Sequence, residues 1–202
     1  MEVRKLKVED AENFSNLIVD MYSNLDNLEW FSPMPYDIDN VKGMISNERF
    51  YILGAFDNDK LVGVGSLDYK CGKLIGKIDF GSECDTSKLV ELSFGIVHSD
   101  YRGKGIMKSL LSTLLEKIKN DGFEWAFAKI HKDNIASNKA SMSNGLSVLC
   151  SYSKPVKKED FIYLSSQSFF SEAGKEKAKS TLEKFKDSEN IIVDYNILMK
   201  RI

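Results

Sequence analysis

The sequence predicts an α/β (α+β) fold in which a mixed central sheet carries helices on both faces. Short apolar segments with strand-like patterning recur along the chain, and segments with helical periodicity separate them. A glycine-rich loop also joins a buried strand directly to the start of an amphipathic helix within residues 89–119. With 202 residues the chain is expected to form a single domain, residues 1–202.

The N-terminal part is predicted to hold a strand, two helices and a hairpin. The first helix rests on Ala11, Phe14, Leu17, Ile18 and Met21, which recur at helical spacing. Pro33 and Pro35 predict an irregular stretch before the second helix. In order, we predict a strand at 2–8, a helix at 9–23, a short helix at 38–47, a hairpin at 51–69 and a long connection at 70–87.

The C-terminal part alternates strands and helices. One helical face carries Met107, Leu110, Leu111, Leu114, Leu115 and Ile118, and Asp121-Gly122 ends that helix. The remaining predicted segments are strands at 88–97, 124–130, 145–152 and 191–201, and helices at 134–143 and 173–187. The final strand is expected to close an edge of the sheet.

Residues 153–190 are interpreted as an insertion with an extra helix before the last strand, since strand connections are usually shorter. The helix has a thin apolar stripe, formed by Ala173, Ala178, Leu182 and Phe185. Such a stripe favours packing on its own domain over a lid or a subunit contact.

Bulk properties exclude several function classes. The net charge of −2 argues against a general nucleic-acid binder. No apolar stretch is long enough for a membrane helix, and the N-terminus lacks a signal peptide's apolar centre, so a cytoplasmic location is expected. Cys71, Cys84 and Cys150 are far apart, which favours reduced thiols and no metal site.

The loop HSDYRGKG is the segment most suited to chemistry. Gly103 and Gly105 allow the backbone to turn and to approach a ligand closely. Unpaired N–H groups at the following helix start can bind a pyrophosphate, and Arg102, Lys104 and Lys108 add positive charge there. The alternative is that the glycines serve only the geometry of the turn. The loop matches neither a Walker loop nor the GxGxxG of a dinucleotide fold.

These residues resemble the GNAT superfamily of acyl-CoA N-acyltransferases. Its motif Arg/Gln-x-x-Gly-x-Gly/Ala stands here as Arg102 to Met107, with Met107 departing from the usual small residue and crowding one wall. The segment NIASNKASMSNGL resembles the family's Asn-x-x-Ser…Gly-Phe helix and turn. The resemblance covers residues 1–153 and is sharpest over 88–148.

The resemblance implies acetyl-CoA as the co-substrate, which enters a V-shaped splay between the fourth and fifth strands, 88–97 and 124–130. Backbone groups of Gly95, Ile96 and Val97 are then expected to meet the pantetheine arm, and Asn134 to touch it or the far side of the cofactor. The amides that cradle the pyrophosphate belong to Arg102, Gly103, Lys104, Gly105, Ile106, Met107 and Lys108.

Glu91 is the candidate general base. It lies in a strand among apolar neighbours, where a carboxyl group has a raised pKa suited to accepting a proton near neutrality. The resemblance likewise implies a strand glutamate as base. The alternative is an exposed glutamate paired with a lysine such as Lys88.

Other candidates are weaker. Ser141 stands where the family's usual tyrosine acid falls, and its alternative is a plain helix-surface serine. His131 could relay protons or be a partly exposed residue at a strand end. Trp30 and Phe31 either line the acceptor site or cover the core.

The resemblance thus implies an N-acetyltransferase that moves an acetyl group from acetyl-CoA to a primary amine by direct attack. Two rivals stay open: a non-catalytic acyl-CoA-binding or regulatory module, and a nucleotide phosphate-binding domain. The acceptor also stays open among small amines, amino acids, aminoglycosides and protein amines, as does a homodimer.

Overall fold

The computed structural model describes residues 1–24, 27–30, 34–71, 74, 76–159, 172–188 and 190–202. Within these ranges, seven strands form one mixed sheet in the order β1-β2-β3-β4-β5-β7-β6. The strands are β1 (Glu2–Lys5), β2 (Phe50–Asp57), β3 (Lys60–Asp68), β4 (Leu89–Val97), β5 (Trp125–His131), β6 (Ser147–Lys157) and β7 (Asn190–Arg201).

Helices cover both faces of the sheet, as predicted. One face packs against α1 (Ala11–Ser23) and α2 (Ile38–Ser46), and the other against α3 (Ile106–Asn120) with α4 (Ile135–Met142) beside it. A fifth helix, α5 (Glu172–Lys184), packs Leu182 against the α1 side of the core. No helix in the described ranges is both long and apolar enough to cross a membrane.

Glycine brings α3 close to the sheet. A Cβ atom at Gly65 in β3 would lie 2.9 Å from Cδ1 of Leu114, and one at Gly63 would lie 2.8 Å from Cγ2 of Ile106. Both distances are shorter than carbon atoms tolerate, so α3 can sit this near only over residues without side chains. The same approach fixes the start of α3 at the end of β4.

The predicted splay between β4 and β5 is confirmed. These parallel strands pair only from Leu89↔Trp125 to Leu92↔Ala128 and then part. A bulge in β4 begins at the same place, because Gly65 and Leu67 of β3 face Gly95 and Leu92, which are three residues apart. The Ser66 hydroxyl fills the bulge by accepting a hydrogen bond from the Phe94 N–H at 3.1 Å.

The prediction that the last strand closes an edge is wrong. β7 pairs antiparallel with β5 on one side and with β6 on the other, so it lies inside the sheet and β6 lies at the end. The side chains of Ile191, Val193 and Ile197 are fully buried, which an edge strand does not require. Buried and more exposed residues alternate from Asn190 to Asn196, and both faces are buried only from Ile197 to Met199.

Two connections differ from their predicted character. The stretch predicted as irregular contains a 3₁₀ turn at Leu28–Trp30, while Phe31 and Pro33 lie outside the described residues. The long connection after β3 ends in a 3₁₀ turn at Thr86–Lys88 and buries Leu74 and Phe80 in a cluster with Phe127 of β5.

β6 runs to Lys157, five residues beyond its predicted end.

Candidate active site

The loop before α3 presents a row of backbone donors. The first helical hydrogen bond of α3 runs from the Ser109 amide to the Gly105 carbonyl at 3.1 Å, so the amides from Gly103 to Lys108 have no acceptor within the helix. Gly103 and Gly105 have φ values of 75° and 78°, and a Cβ at either would meet nothing within 4 Å. The loop therefore combines amides that have no helical acceptor with unobstructed space beside its two glycines, which suits an anion.

Side-chain contacts also hold the loop in place. The Arg102 guanidinium donates to the Asn24 carbonyl at 3.0 Å, and so ties the loop to the end of α1. The Lys104 ammonium lies 4.7 Å from the centre of the Tyr101 ring and lines neither cavity of the site. The Asp20 carboxylate accepts from both the amide and the hydroxyl of Ser99, at 2.8 and 2.7 Å.

A first cavity of about 370 Å³ lies beside this loop. It brings together most of the residues assigned to the cofactor, which are Gly95, Ile96, Val97, Arg102, Gly103, Gly105, Ile106, Met107, Lys108 and Asn134. The three β4 residues lie beyond the last pair with β5, so one backbone edge of β4 faces the gap. Asn134 also caps α4, because its Oδ1 accepts from the Ser137 amide at 3.1 Å.

A second cavity of about 230 Å³ continues from the first. Trp30, Gly95, Met107, Asn134 and Ser137 line both cavities, so the two meet where β4 and β5 part. Met107 lies over Gly95, where a Cβ would come within 2.7 Å of the Met107 Cε atom. The methionine therefore narrows the junction, as its departure from the motif predicted.

Glu91 lines the second cavity. Burial raises the pKa of its carboxyl group to about 7, and the nearby positive charge of Lys129 opposes this rise. Its neighbour across the sheet, Asp68, is buried and held by the Arg49 guanidinium, with Nε donating to Oδ1 at 2.8 Å. Lys88, the alternative partner for Glu91, forms an ion pair with Glu124 instead.

The second cavity is also lined by three neighbouring aromatic side chains, those of His131, Trp30 and Tyr195. His131 is buried, with only 6% of its surface exposed, so the expectation of a partly exposed strand end is wrong. Its ring lies 6.2 Å from that of Trp30 and 6.0 Å, edge to face, from that of Tyr195. Burial lowers the pKa of the imidazole, so the ring is neutral near pH 7. Phe31, the other aromatic residue proposed for the acceptor site, lies outside the described residues.

Ser141 also lines the second cavity, and it is 2% exposed. The interpretation as a helix-surface serine is therefore wrong. Serine is usually exposed on helices, but α4 packs against α3 and β5 and covers this residue. The serine side chain is shorter than the tyrosine that the resemblance implies at this position.

Several residues of the second cavity were not identified from the sequence, including three with polar side-chain groups. Lys129 and Tyr195 lie on strands β5 and β7, and Ser66 lies on β3. Placing Tyr195 requires knowing that β7 pairs with β5 in the register His131↔Tyr195. Only the period-two pattern of the last strand, which puts Tyr195 on the same face as Ile191 and Val193, could have suggested it.

Comparison with known proteins identifies a family and a shared fold. A family model described as "Acetyltransferase (GNAT) family" matches residues 12–140. The sequence has no match among curated proteins. Solved structures with the same fold include an N-acetyltransferase from Staphylococcus aureus Mu50, at 15% identity and a TM-score of 0.66, covering 99% of this chain and 97% of that one.

Two further structures are similar. A ribosomal-protein-alanine N-acetyltransferase from Brucella melitensis has 18% identity and a TM-score of 0.66, with all of both chains covered. The structure of yncA from Salmonella typhimurium, which holds its cofactor acetyl-CoA, has 18% identity and a TM-score of 0.64, covering 100% of this chain and 93% of that one. At these identities, the likeness concerns the fold.

Proposed function

The chain belongs to the GNAT family of acetyltransferases, and from this premise we propose that it transfers an acetyl group from acetyl-CoA to a primary amine. One observation carries the proposal: two joined cavities, with a row of free amides at one end and the Glu91 carboxyl at the other, meet where β4 and β5 part. We propose that residues 1–202 act as one domain in this reaction.

Acetyl-CoA is the co-substrate, and the first cavity fits it. The amides from Gly103 to Lys108 would hold the pyrophosphate, because they have no helical acceptor and most of their residues line the first cavity. The edge of β4 from Gly95 to Val97 would pair with the pantetheine amides, since β5 has left that edge. The thioester then supplies an activated acetyl group at the junction of the cavities.

Glu91 is the general base in this proposal. A primary amine is mostly protonated near pH 7 and must lose a proton before it can attack a carbonyl carbon. A carboxyl group whose pKa is raised to about 7 by burial can accept that proton, directly or through water. The amine then attacks directly, with no acetylated enzyme.

The departing thiolate needs little help. Ser141 is a poor proton donor, because a serine hydroxyl is far less acidic than a phenol. A thiol has a reference pKa of about 8.5, so its thiolate is a tolerable leaving group near neutrality. We therefore assign Ser141 to the wall of the acceptor cavity rather than to proton transfer.

Thermal melting with acetyl-CoA tests the cofactor site, since a ligand of the native state raises the melting temperature. Gly105→Val should abolish that rise. Gly122→Val is the matched control: Gly122 lies at the other end of α3, has a φ of 80° and has nothing within 4 Å of its Cβ position. Both variants carry the same backbone strain, about 1–2 kcal/mol, but only the first obstructs the cradle.

Release of free CoA thiol across a panel of primary amines tests the reaction itself. Turnover with at least one amine, lost in Glu91→Gln, is the expected outcome. Acetyl-CoA binding with no thiol release from any amine would favour a non-catalytic acyl-CoA-binding module. A melting shift with ATP that equals the shift with CoA would favour a nucleotide-binding domain.

A further inference from the structure

We propose that the acceptor amine carries an oxygen atom within a few bonds of its nitrogen, and that His131 and Tyr195 bind this oxygen by donating hydrogen bonds. The acceptor class is then amino alcohols, amino acids and their amides, rather than plain alkylamines. This inference rests on the proposed acetyl transfer, because it concerns the substrate of the same cavity.

The orientation of His131 makes it a donor. The Asp133 amide donates to its Nδ1 at 3.1 Å, so the proton of the neutral ring is on Nε2. The carbonyl of His131 accepts from the Asn138 side chain at 3.0 Å and from the Asn134 amide at 3.0 Å, which fixes the backbone. With Trp30 and Tyr195 on either side, the ring has little freedom to turn.

Tyr195 supplies a second donor. It is 5% exposed, and its pKa is raised to about 12 by burial, so the hydroxyl keeps its proton at any physiological pH. Its ring lies edge to face against that of His131, and both residues line the second cavity.

Neither donor has a protein partner among the described residues. Among those residues, the side-chain polar atoms that are both sealed from solvent and unpaired belong to Glu29 and Trp30. The Nε2 atom of His131 and the hydroxyl of Tyr195 are therefore open to the cavity that they line. A polar group in such a site is costly unless a ligand or water completes its hydrogen bond.

The polar groups of the cavity are divided between its two sides. Glu91, on β4, can accept a hydrogen bond or a proton, while His131 and Tyr195 are on β5 and β7. Glu91 lies in the part of β4 that still pairs with β5, opposite Phe127, whereas His131 lies beyond the last pair, where the two strands have parted. An amine that approaches Glu91 must fill the other side as well, and an oxygen atom satisfies two donors that a methyl group would leave unpaired.

Ethanolamine and propylamine provide a matched pair of probes. Each has an unbranched chain of four non-hydrogen atoms, and they differ only in a terminal hydroxyl or methyl group. We expect kcat/KM, measured by thiol release, to favour ethanolamine by about tenfold or more. Because the amines differ in basicity, the decisive quantity is the change in this ratio between the wild type and each variant.

Tyr195→Phe removes one oxygen atom, and His131→Phe removes the ring donor while keeping a flat side chain. Each should lower the ethanolamine-to-propylamine ratio at least fivefold, as loss of one hydrogen bond implies. Tyr152→Phe is the control. Tyr152 lies on β6 and is the pairing partner of Tyr195 on β7, but it lines neither cavity. It should keep the wild-type ratio.

The outcomes separate the two proposals. If the variants lower kcat for both amines by the same factor, the donors serve the acetyl carbonyl and the inference is overturned. An unchanged ratio and unchanged rates would also overturn it. If the wild type acetylates neither these amines nor any other in the panel, the proposed acetyl transfer fails instead. If the preference for ethanolamine is found, comparing glycinamide with a short peptide as acceptor distinguishes a free amino acid derivative from a peptide N-terminus.

Discussion

Replacing Glu91 with glutamine tests the partly buried carboxyl group through protein stability, without any substrate. Burial raises its pKa from 4.5 to about 7, so the folded protein retains a proton that the unfolded chain releases. The stability that this proton provides is fully present below pH 4.5 and is lost as the pH rises to about 7. At about 1.4 kcal/mol per pH unit, the loss is about 3 kcal/mol.

Urea unfolding of the wild type and Glu91→Gln over this pH range measures the effect. Glutamine cannot ionise. The free energy of unfolding of the variant, relative to that of the wild type, should therefore rise by about 3 kcal/mol between about pH 4 and pH 8. Any fixed cost of the amide cancels in this comparison. Glu124→Gln is a control, because Glu124 is exposed and pairs with Lys88 on the surface. Over the same pH range, the difference in free energy of unfolding between Glu124→Gln and the wild type should change by less than about 1 kcal/mol.

A stability difference between Glu91→Gln and the wild type that does not change with pH would refute the raised pKa. The same variant should lower kcat/KM by about 10²- to 10⁴-fold, the usual contribution of a general base. Unaltered turnover together with the expected pH-dependent stability would mean that the carboxyl is buried as described but is not the base.

Three other changes have defined consequences. Truncation after Lys158 removes α5 and the interior strand β7, so cooperative unfolding should disappear from circular dichroism melts; a wild-type melt with retained CoA binding would contradict this. Asn138→Ala should lower the free energy of unfolding, measured with urea, by about 2–4 kcal/mol. The buried Asn138 side chain donates to the carbonyls of His131 and Asn134 and accepts from Asn196 at 3.1 Å, so an unchanged urea midpoint would contradict its role. Gly65→Val should cost about 1–3 kcal/mol by pressing on Leu114 while acetyl-CoA binding persists, and wild-type stability would contradict the close approach of α3.

Local patterns in the sequence were enough to locate the glycine loop and a carboxyl group with a raised pKa. The turn at Gly103 and Gly105 depends on residues next to one another in the chain, and so does the burial of Glu91 within an apolar strand. Each of these features can be inferred from a short window. The splay between β4 and β5 followed from the family resemblance, not from the window itself.

Features that depend on distant pairing were not predictable in this way. Tyr195 lines the second cavity because β7 pairs with β5, which lies about sixty residues earlier in the chain. Nothing in the last strand specifies that neighbour. The burial of His131 and Ser141 has the same origin, since β7, α4 and Trp30 together cover them. An isolated pattern reports which face of a segment is apolar, but not which element covers it.

Because β7 lies inside the sheet, β6 is the strand at that end of the sheet in the described residues. This position affects how the protein resists aggregation. A terminal strand offers unpaired backbone groups to other chains. The second half of β6 contains Pro155, which has no N–H to donate, between Lys154 and Lys157, whose charges repel a similar strand. The first half instead exposes Val148 and Leu149. Self-association through strand pairing would therefore begin at the Ser147 end, and a lysine at position 149 would extend the protection along the whole edge.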